Sequence, residues 1–303
     1  MNELSFEGRV AVVTGAGRGI GRAHARLLAA RGARVVVNDL GGSMEGIGAD
    51  AGPASAVAAE IVAAGGLASA DANDVSTTVG ADALVATAVE QFGRIDIVVN
   101  NAGIIRWAGF PKADAENLAA HLAVHVGGSF NTARAAWPHM VEQRYGRIVM
   151  TTSAGVFGLP HNTSYATAKA AVVGLTRSLT TAGAAHGILV NLIAPAAYTR
   201  MAGAASAETD AAEAATQMAP ELVAPMVAFL AHETCPVSGE IYAAGAGRFA
   251  RIFIASTAGY VHPGPGPTVE DVAEHWAAIN DETGYFVPAD LTDWSTTFMA
   301  HLT

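Results

Sequence analysis

Short apolar runs alternate with longer stretches of helical spacing along most of the chain. Arg9-Val10-Ala11-Val12-Val13-Thr14 enters a glycine cluster and reads as a strand buried on both faces. Residues 20–31 place apolar positions at helical intervals, with Gly32 as a stop. Arg34-Val35-Val36-Val37-Asn38-Asp39 is a second strand, ending in a carboxylate. Residues 41–52 are glycine-rich and without period, and read as a long surface loop. The pattern then predicts a helix over about 53–64, a strand near 67–72, a helix over about 77–92 and a fourth strand at 95–100. Helices over about 114–125 and 127–143 precede a fifth strand at 146–151. A helix from near Ser164 to about 184 leads to a sixth strand at 188–193 and a seventh near 240–243. Such alternation implies right-handed crossovers. The expected fold is α/β: a Rossmann-type, doubly wound parallel sheet of seven strands with helices on both faces.

The chain continues past that sheet. We expect a single dinucleotide-binding catalytic domain over 1–247 and a C-terminal extension over 248–303. Within the extension, residues 248–254 alternate enough to pair as a strand. Residues 263–267 (PGPGP) interrupt the chain, and Thr268 with Glu270 and Asp271 marks the start of a helix over 268–280. Phe249, Phe253, Tyr260, Trp276, Tyr285, Phe286, Trp294 and Phe298 are too many aromatics to leave in water. They predict packing on the domain or on a partner subunit, in a homodimer or homotetramer.

Composition narrows the function. A hydrophobic content of 51% over 303 residues is ample for a large core. The net charge of -10 disfavours nucleic acid as a partner, although a site within an acidic protein can still be locally basic. Cys235 is the one cysteine, so no intramolecular disulfide can form, and it reads as a buried thiol. No apolar run approaches the roughly 18 residues of a membrane span. The first residues lack a basic segment followed by an apolar one, and Ala300-His301-Leu302-Thr303 is not a peroxisomal address. A cytoplasmic location is expected. His121 and His125 stand at i and i+4 but have no third ligand, so no metal site is assigned.

The chemistry sits in three clusters. Gly15, Gly19 and Gly21, with Arg18 and Ile20 between them, lie where the first strand turns into the first helix. Glycine there lets backbone N–H groups approach a pyrophosphate at the helix N-terminus. Asp39 ends the second strand, where a carboxylate accepts both ribose hydroxyls of NAD and repels the 2′-phosphate of NADP. Arg18 could instead attract that phosphate, but it also suits a bare pyrophosphate. Tyr165 and Lys169 share one helix face. The phenol must exchange a proton near neutrality, and a nearby ammonium and a positive nicotinamide would both favour the phenolate. An upstream hydroxyl, on Thr152 or Ser153, would hold the substrate oxygen. Pro195 and Thr199 follow the sixth strand, where they could wall the nicotinamide.

Thr14-Gly15-Ala16-Gly17-Arg18-Gly19-Ile20-Gly21, Asn100-Asn101-Ala102-Gly103 and Tyr165-Ala166-Thr167-Ala168-Lys169, in that order, resemble the short-chain dehydrogenase/reductase family over residues 8–245. The resemblance implies Tyr165 as acid/base and Lys169 as ribose ligand and pKa tuner. It also implies Asp74 and Val75 against the adenine, and Asn101, with Ala102 and Gly103, near the cofactor ribose. Val37-Asn38-Asp39-Leu40-Gly41-Gly42, Val124-His125-Val126-Gly127-Gly128-Ser129-Phe130, Val223-Ala224-Pro225, His232-Glu233-Thr234-Cys235 and Gly245-Ala246-Gly247 are more narrowly similar to the (3R)-hydroxyacyl-CoA dehydrogenase region of type 2 peroxisomal multifunctional enzymes. His125 stands where the family often has Asn on the helix of a proton relay, and that group shares the His. Pro195-Ala196 replaces the usual Pro-Gly. Counting from the fifth strand puts the active hydroxyl on Ser153, and counting back from Tyr165 puts it on Thr152. We take Ser153, because strand registers shift less readily than loops.

The expected activity is therefore an NAD-dependent oxidoreductase interconverting a secondary alcohol and a ketone, with a 3-hydroxyacyl-CoA as the leading substrate. A steroid or other bulky alicyclic alcohol is the alternative substrate. A dinucleotide-binding protein without turnover is the alternative of another class. Substrate identity is expected to rest on loops near 104–113, 155–163 and 196–219, the last a mobile lid.

Overall fold

The computed structural model describes residues 3–199 and 216–302. Most of the 196–219 segment read above as a lid thus lies outside the described residues. The chain divides into two compact units, Met1–Arg251 and Ile252–Thr303.

The first unit is built on one sheet ordered β3-β2-β1-β4-β5-β6-β7-β8. Its first three strands are β1 (Val10–Thr14), β2 (Arg34–Asn38) and β3 (Leu67–Asp71). They are followed by β4 (Ile97–Asn100), β5 (Gly146–Thr151), β6 (Ile188–Pro195) and β7 (Ile241–Gly245). Pairing is parallel from β3 through to β7. Order reverses between β1 and β4, which creates a crevice at the strands' C-terminal ends. Every residue of β1, β4 and β5 is buried, as expected for strands covered by helices on both faces.

The helices are α1 (Gly19–Ala30), α2 (Gly52–Ala63), α3 (Thr78–Phe92), α4 (Ala115–His121), α5 (Gly128–Gln143), α6 (Thr163–Gly183) and α7 (Ala224–Ala231). Leu28, Val57, Ile61 and Leu230 from three of them pack on Val35, Val37 and Ile97 of the sheet. Between α4 and α5 the sequence predicts a break. The structure instead carries the helix through a widened π turn, Leu122–Gly127. Such turns alter which side chains face inward and recur at functional sites. Here the inward side chains are His121 and His125, both fully buried.

The sheet has eight strands, not seven. Ala246 and Gly247, with φ of 48° and 72°, make a two-residue turn, and β8 (Arg248–Ile252) follows at the edge. Two positive φ values in succession suit a hairpin turn whose twist matches that of the strands. Residues 248–252 therefore form a strand, as their alternation predicts, but in the sheet of the first unit.

The second unit contains short helices at Val269–Glu274, Trp276–Ile279 and Leu291–Phe298. Thr268 caps the first through a reciprocal bond with Asp271, as its position predicts. The expected continuous helix to 280 breaks at His275. Phe253 stacks on Tyr285 and Trp294 on Phe298, at ring separations of 5.6 and 4.6 Å. No described residue beyond Gly245 is buried.

Candidate active site

The crevice holds a cavity of about 470 Å³. Its lining joins sequence-predicted residues that are far apart in the chain: Gly15, Arg18, Gly19, Ile20, Gly21, Asp39, Asp74, Val75, Asn101, Ala102, Gly103 and Thr199. Pro195 ends β6 but does not line this cavity. α1 begins at Gly19 with no side-chain cap and no acidic residue in its first turn, which, among the described residues, leaves its N–H groups open to an anion. Glycine is required around it. A Cβ on Gly21 would lie 2.3 Å from the Gly15 carbonyl oxygen, and one on Gly17 would lie 2.8 Å from Asp39 Oδ2. Asp39 is pinned by the backbone on both oxygens, Gly17 N–H donating to Oδ2 (2.8 Å) and Gly41 N–H to Oδ1 (2.7 Å). Asn101 lines the cavity while its Nδ2 donates to the carbonyls of Thr14 and Gly15 (2.9 and 3.1 Å), tying β4 to the glycine turn.

The residues expected to transfer the proton stand on α6 and just after β5. Ser153 follows β5, its Oγ accepting from Gly155 N–H (3.0 Å) and sharing a hydrogen bond with the Tyr165 hydroxyl. Thr152 is turned away: its buried hydroxyl donates to the Lys169 carbonyl (2.8 Å). Lys169 Nζ is buried, donates to the Thr151 carbonyl (2.8 Å) and lies 5.6 Å from the centre of the Tyr165 ring. Burial lowers its pKa to about 7. The stacked rings of His121 and His125, 5.9 Å apart, both meet Tyr165 edge-on, at 6.2 and 5.4 Å. Nδ1 of His121 lies 2.8 Å from the Asn117 carbonyl, and its Nε2 accepts from Arg106 N–H (3.2 Å), which requires a neutral ring. Gly103 leaves room for this arrangement, since a Cβ there would come within 2.6 Å of His125 Cε1.

The family model for short chain dehydrogenases matches residues 9–210. The chain belongs to the short-chain dehydrogenase family. Over 277 residues it is 44% identical to a short-chain type dehydrogenase/reductase of Mycobacterium tuberculosis, covering 91% of this chain and 95% of that one. It is 43% identical over 281 residues to the mouse (Mus musculus) peroxisomal multifunctional enzyme type 2, covering 92% of this chain but 37% of that longer protein. A solved 7α-hydroxysteroid dehydrogenase, in complex with NADH and 7-oxo glycochenodeoxycholic acid, superposes with a TM-score of 0.71 at 30% identity. That match covers 82% of this chain and 98% of that one.

Two features of this short-chain dehydrogenase depart from the sequence reading. Burial works against the phenolate that the Lys169 ammonium was expected to favour. Burial raises the Tyr165 pKa, and the Ser153 hydrogen bond only partly opposes it. The cavity also has a wall that the sequence reading left as an irregular surface loop: Gly41, Gly42, Ser43, Met44 and Gly46 face Ile104 and Val124 across it. Nothing periodic marks that stretch. Its glycine content, beside a nucleotide-binding strand, was the available signal.

Proposed function

We propose that the chain is an NAD-dependent dehydrogenase interconverting a 3-hydroxyacyl-CoA and the corresponding 3-ketone. The observation that carries the reading is the Ser153–Tyr165–Lys169 constellation, one helix turn and one strand end apart, beside a glycine-built cleft ending in Asp39. The cleft fits a dinucleotide: the uncapped start of α1 suits the pyrophosphate, and the pinned Asp39 carboxylate suits a ribose diol. Bound NAD would supply the hydride acceptor.

The remaining work falls to side chains of the chain. Ser153 Oγ orients the substrate oxygen. Tyr165 Oη takes the hydroxyl proton during oxidation and returns it during reduction. Its raised pKa favours the protonated phenol, which is ready to donate to a ketone. Oxidation requires the phenolate, which Lys169 can stabilise when it carries its proton. Pro195 and Thr199 lie at and after the end of β6, where the nicotinamide would lie, and Asp74 and Val75 of the cavity wall would flank the adenine. The narrow likeness to type 2 multifunctional enzymes supports the acyl-CoA substrate. The likeness to a hydroxysteroid dehydrogenase supports a second reading, a bulky alicyclic alcohol.

Purified protein is mixed with NAD or NADP and with a 3-hydroxyacyl-CoA or a hydroxysteroid, and absorbance of the reduced cofactor is followed. Turnover of the thioester with NAD at a higher kcat/KM than the steroid is expected. Steroid turnover alone would select the second reading. Cofactor binding without turnover of either substrate would leave a dinucleotide-binding protein.

A further inference from the structure

The loop between β2 and α2 does not hang free. Ser43 N–H donates to the Ile47 carbonyl (2.9 Å) and Asp50 N–H to the Leu40 carbonyl (2.8 Å), so the loop closes on itself. Gly41 makes that closure possible: its φ is +80°, and a Cβ would lie 1.8 Å from the Asp50 carbonyl oxygen. The folded loop reaches across the crevice to the segment after β4 at three points. Ile105 N–H donates to the Met44 carbonyl (2.9 Å). Arg106 Nε donates to the Glu45 carbonyl (2.7 Å). A Cβ on Gly46 would stand 2.9 Å from Ile104 Cγ2, so the two chains touch there. Residues from both ends of this bridge line the same cavity as Gly19 and Asp39.

Among these contacts only the one from Arg106 comes from a polar side chain, and it works from a fixed base. The Arg106 amide donates to His121 Nε2, and its carbonyl accepts from Asn117 Nδ2 (3.0 Å). The guanidinium is half-buried and also faces Glu116, at 3.8 Å. A charged donor on a backbone carbonyl is stronger than a neutral one. Arg106 adds to the backbone bond from Ile105 the one side-chain bond that ties the folded loop to the segment after β4.

We propose that Arg106 is a positioning residue that latches the 41–50 loop across the dinucleotide cleft and thereby sets the rate of cofactor release. The proposal rests on the dinucleotide reading above. It adds a residue that touches neither the reacting atoms nor the glycine turn. A dinucleotide bound between Asp39 and Ile104 would lie against both ends of the bridge, so its release would be slowed while the bridge holds.

The test measures NADH dissociation by stopped-flow fluorescence, and backbone hydrogen exchange over residues 43–48 without cofactor. Wild type, Arg106→Ala, Arg106→Lys and Glu116→Ala are compared. Loss of the latch should speed NADH release on the order of tenfold in Arg106→Ala, the worth of one charged hydrogen bond. Exchange at 43–48 should also quicken, with an unchanged Tm. Arg106→Lys keeps the charge and one donor and should fall between, and Glu116→Ala should match wild type. Release in Arg106→Ala within twofold of a wild type that does bind NADH would overturn the latch and leave the dehydrogenase reading standing. A wild type that binds no NADH would overturn both.

Discussion

The two flanks of the crevice are built by opposite means. On the β1–β2–β3 flank the site is mostly backbone: glycines at the start of α1, N–H groups pinning Asp39, and a loop that closes on itself. On the β4–β5–β6 flank it is a cluster of buried titratable side chains, with His121, His125 and Lys169 all out of contact with water beside Tyr165. The first flank costs conformational freedom, and the second costs desolvation of groups that would be more stable in solvent. Substitutions should separate the two. Those on the catalytic flank should destroy rate and can raise stability, whereas those on the cofactor flank should shift binding and preference.

The largest effect is expected at Tyr165. Removing only the hydroxyl, in Tyr165→Phe, should lower kcat by about a hundred- to ten-thousandfold. NADH affinity, measured by fluorescence titration, should stay within about twofold. Retention of more than a tenth of wild-type kcat would place the proton donor elsewhere.

Lys169→Met should lose most activity and raise KM for NAD, yet unfold less readily in urea at pH 7. Its folded pKa, about 7, lies below the ordinary value of 10.5, so between those values the unfolded chain holds a proton that the folded chain does not. Wild-type stability should therefore rise with pH across that window, by roughly 1.4 kcal/mol per unit if this group acts alone. The variant should show a flatter profile. An equally steep rise in the variant would assign the slope to another group.

Ser153→Ala should cost about a hundredfold in kcat, and Thr152→Ala only a few-fold. The Thr152 hydroxyl is spent on the Lys169 carbonyl, so its loss should appear chiefly as about 1 kcal/mol of stability. The opposite order, with both proteins folded, would move the substrate-holding role to Thr152.

Asp39→Ala should act on cofactor binding rather than on the proton transfer. It removes a carboxylate held by two backbone donors, so NAD should weaken about tenfold and the handicap of NADP should shrink. Equal kcat/KM for the two cofactors in wild type would show that Asp39 sets no preference.

The cofactor flank was legible because its information is local. A strand, a glycine turn and a helix follow one another within residues 10–30, and Asp39 ends the next strand. Tyr165 and Lys169 were legible for the same reason, being neighbours on one helix face. The packing of His121 and His125 on Tyr165 was not, because it joins distant elements through a π turn that leaves no periodic trace. The choice between Thr152 and Ser153 needed the direction of each side chain at the end of β5, which spacing alone left in dispute. The eighth strand showed in its alternation, but its partner did not, because Ala246 fills a turn position where Asn, Asp or Gly would have signalled a hairpin.

That last strand changes what the sheet presents to other molecules. Without β8, β7 would leave a row of open amide and carbonyl groups as a template for any extended chain. β8 takes up that row and sets Arg248 and Arg251 on the new border, the latter held to Glu240 (2.7 Å). Cationic side chains on an outermost strand repel a second copy of the same border. The hairpin thus removes the open edge of β7, and neutralising both arginines is expected to lower the solubility of the protein before it touches the chemistry.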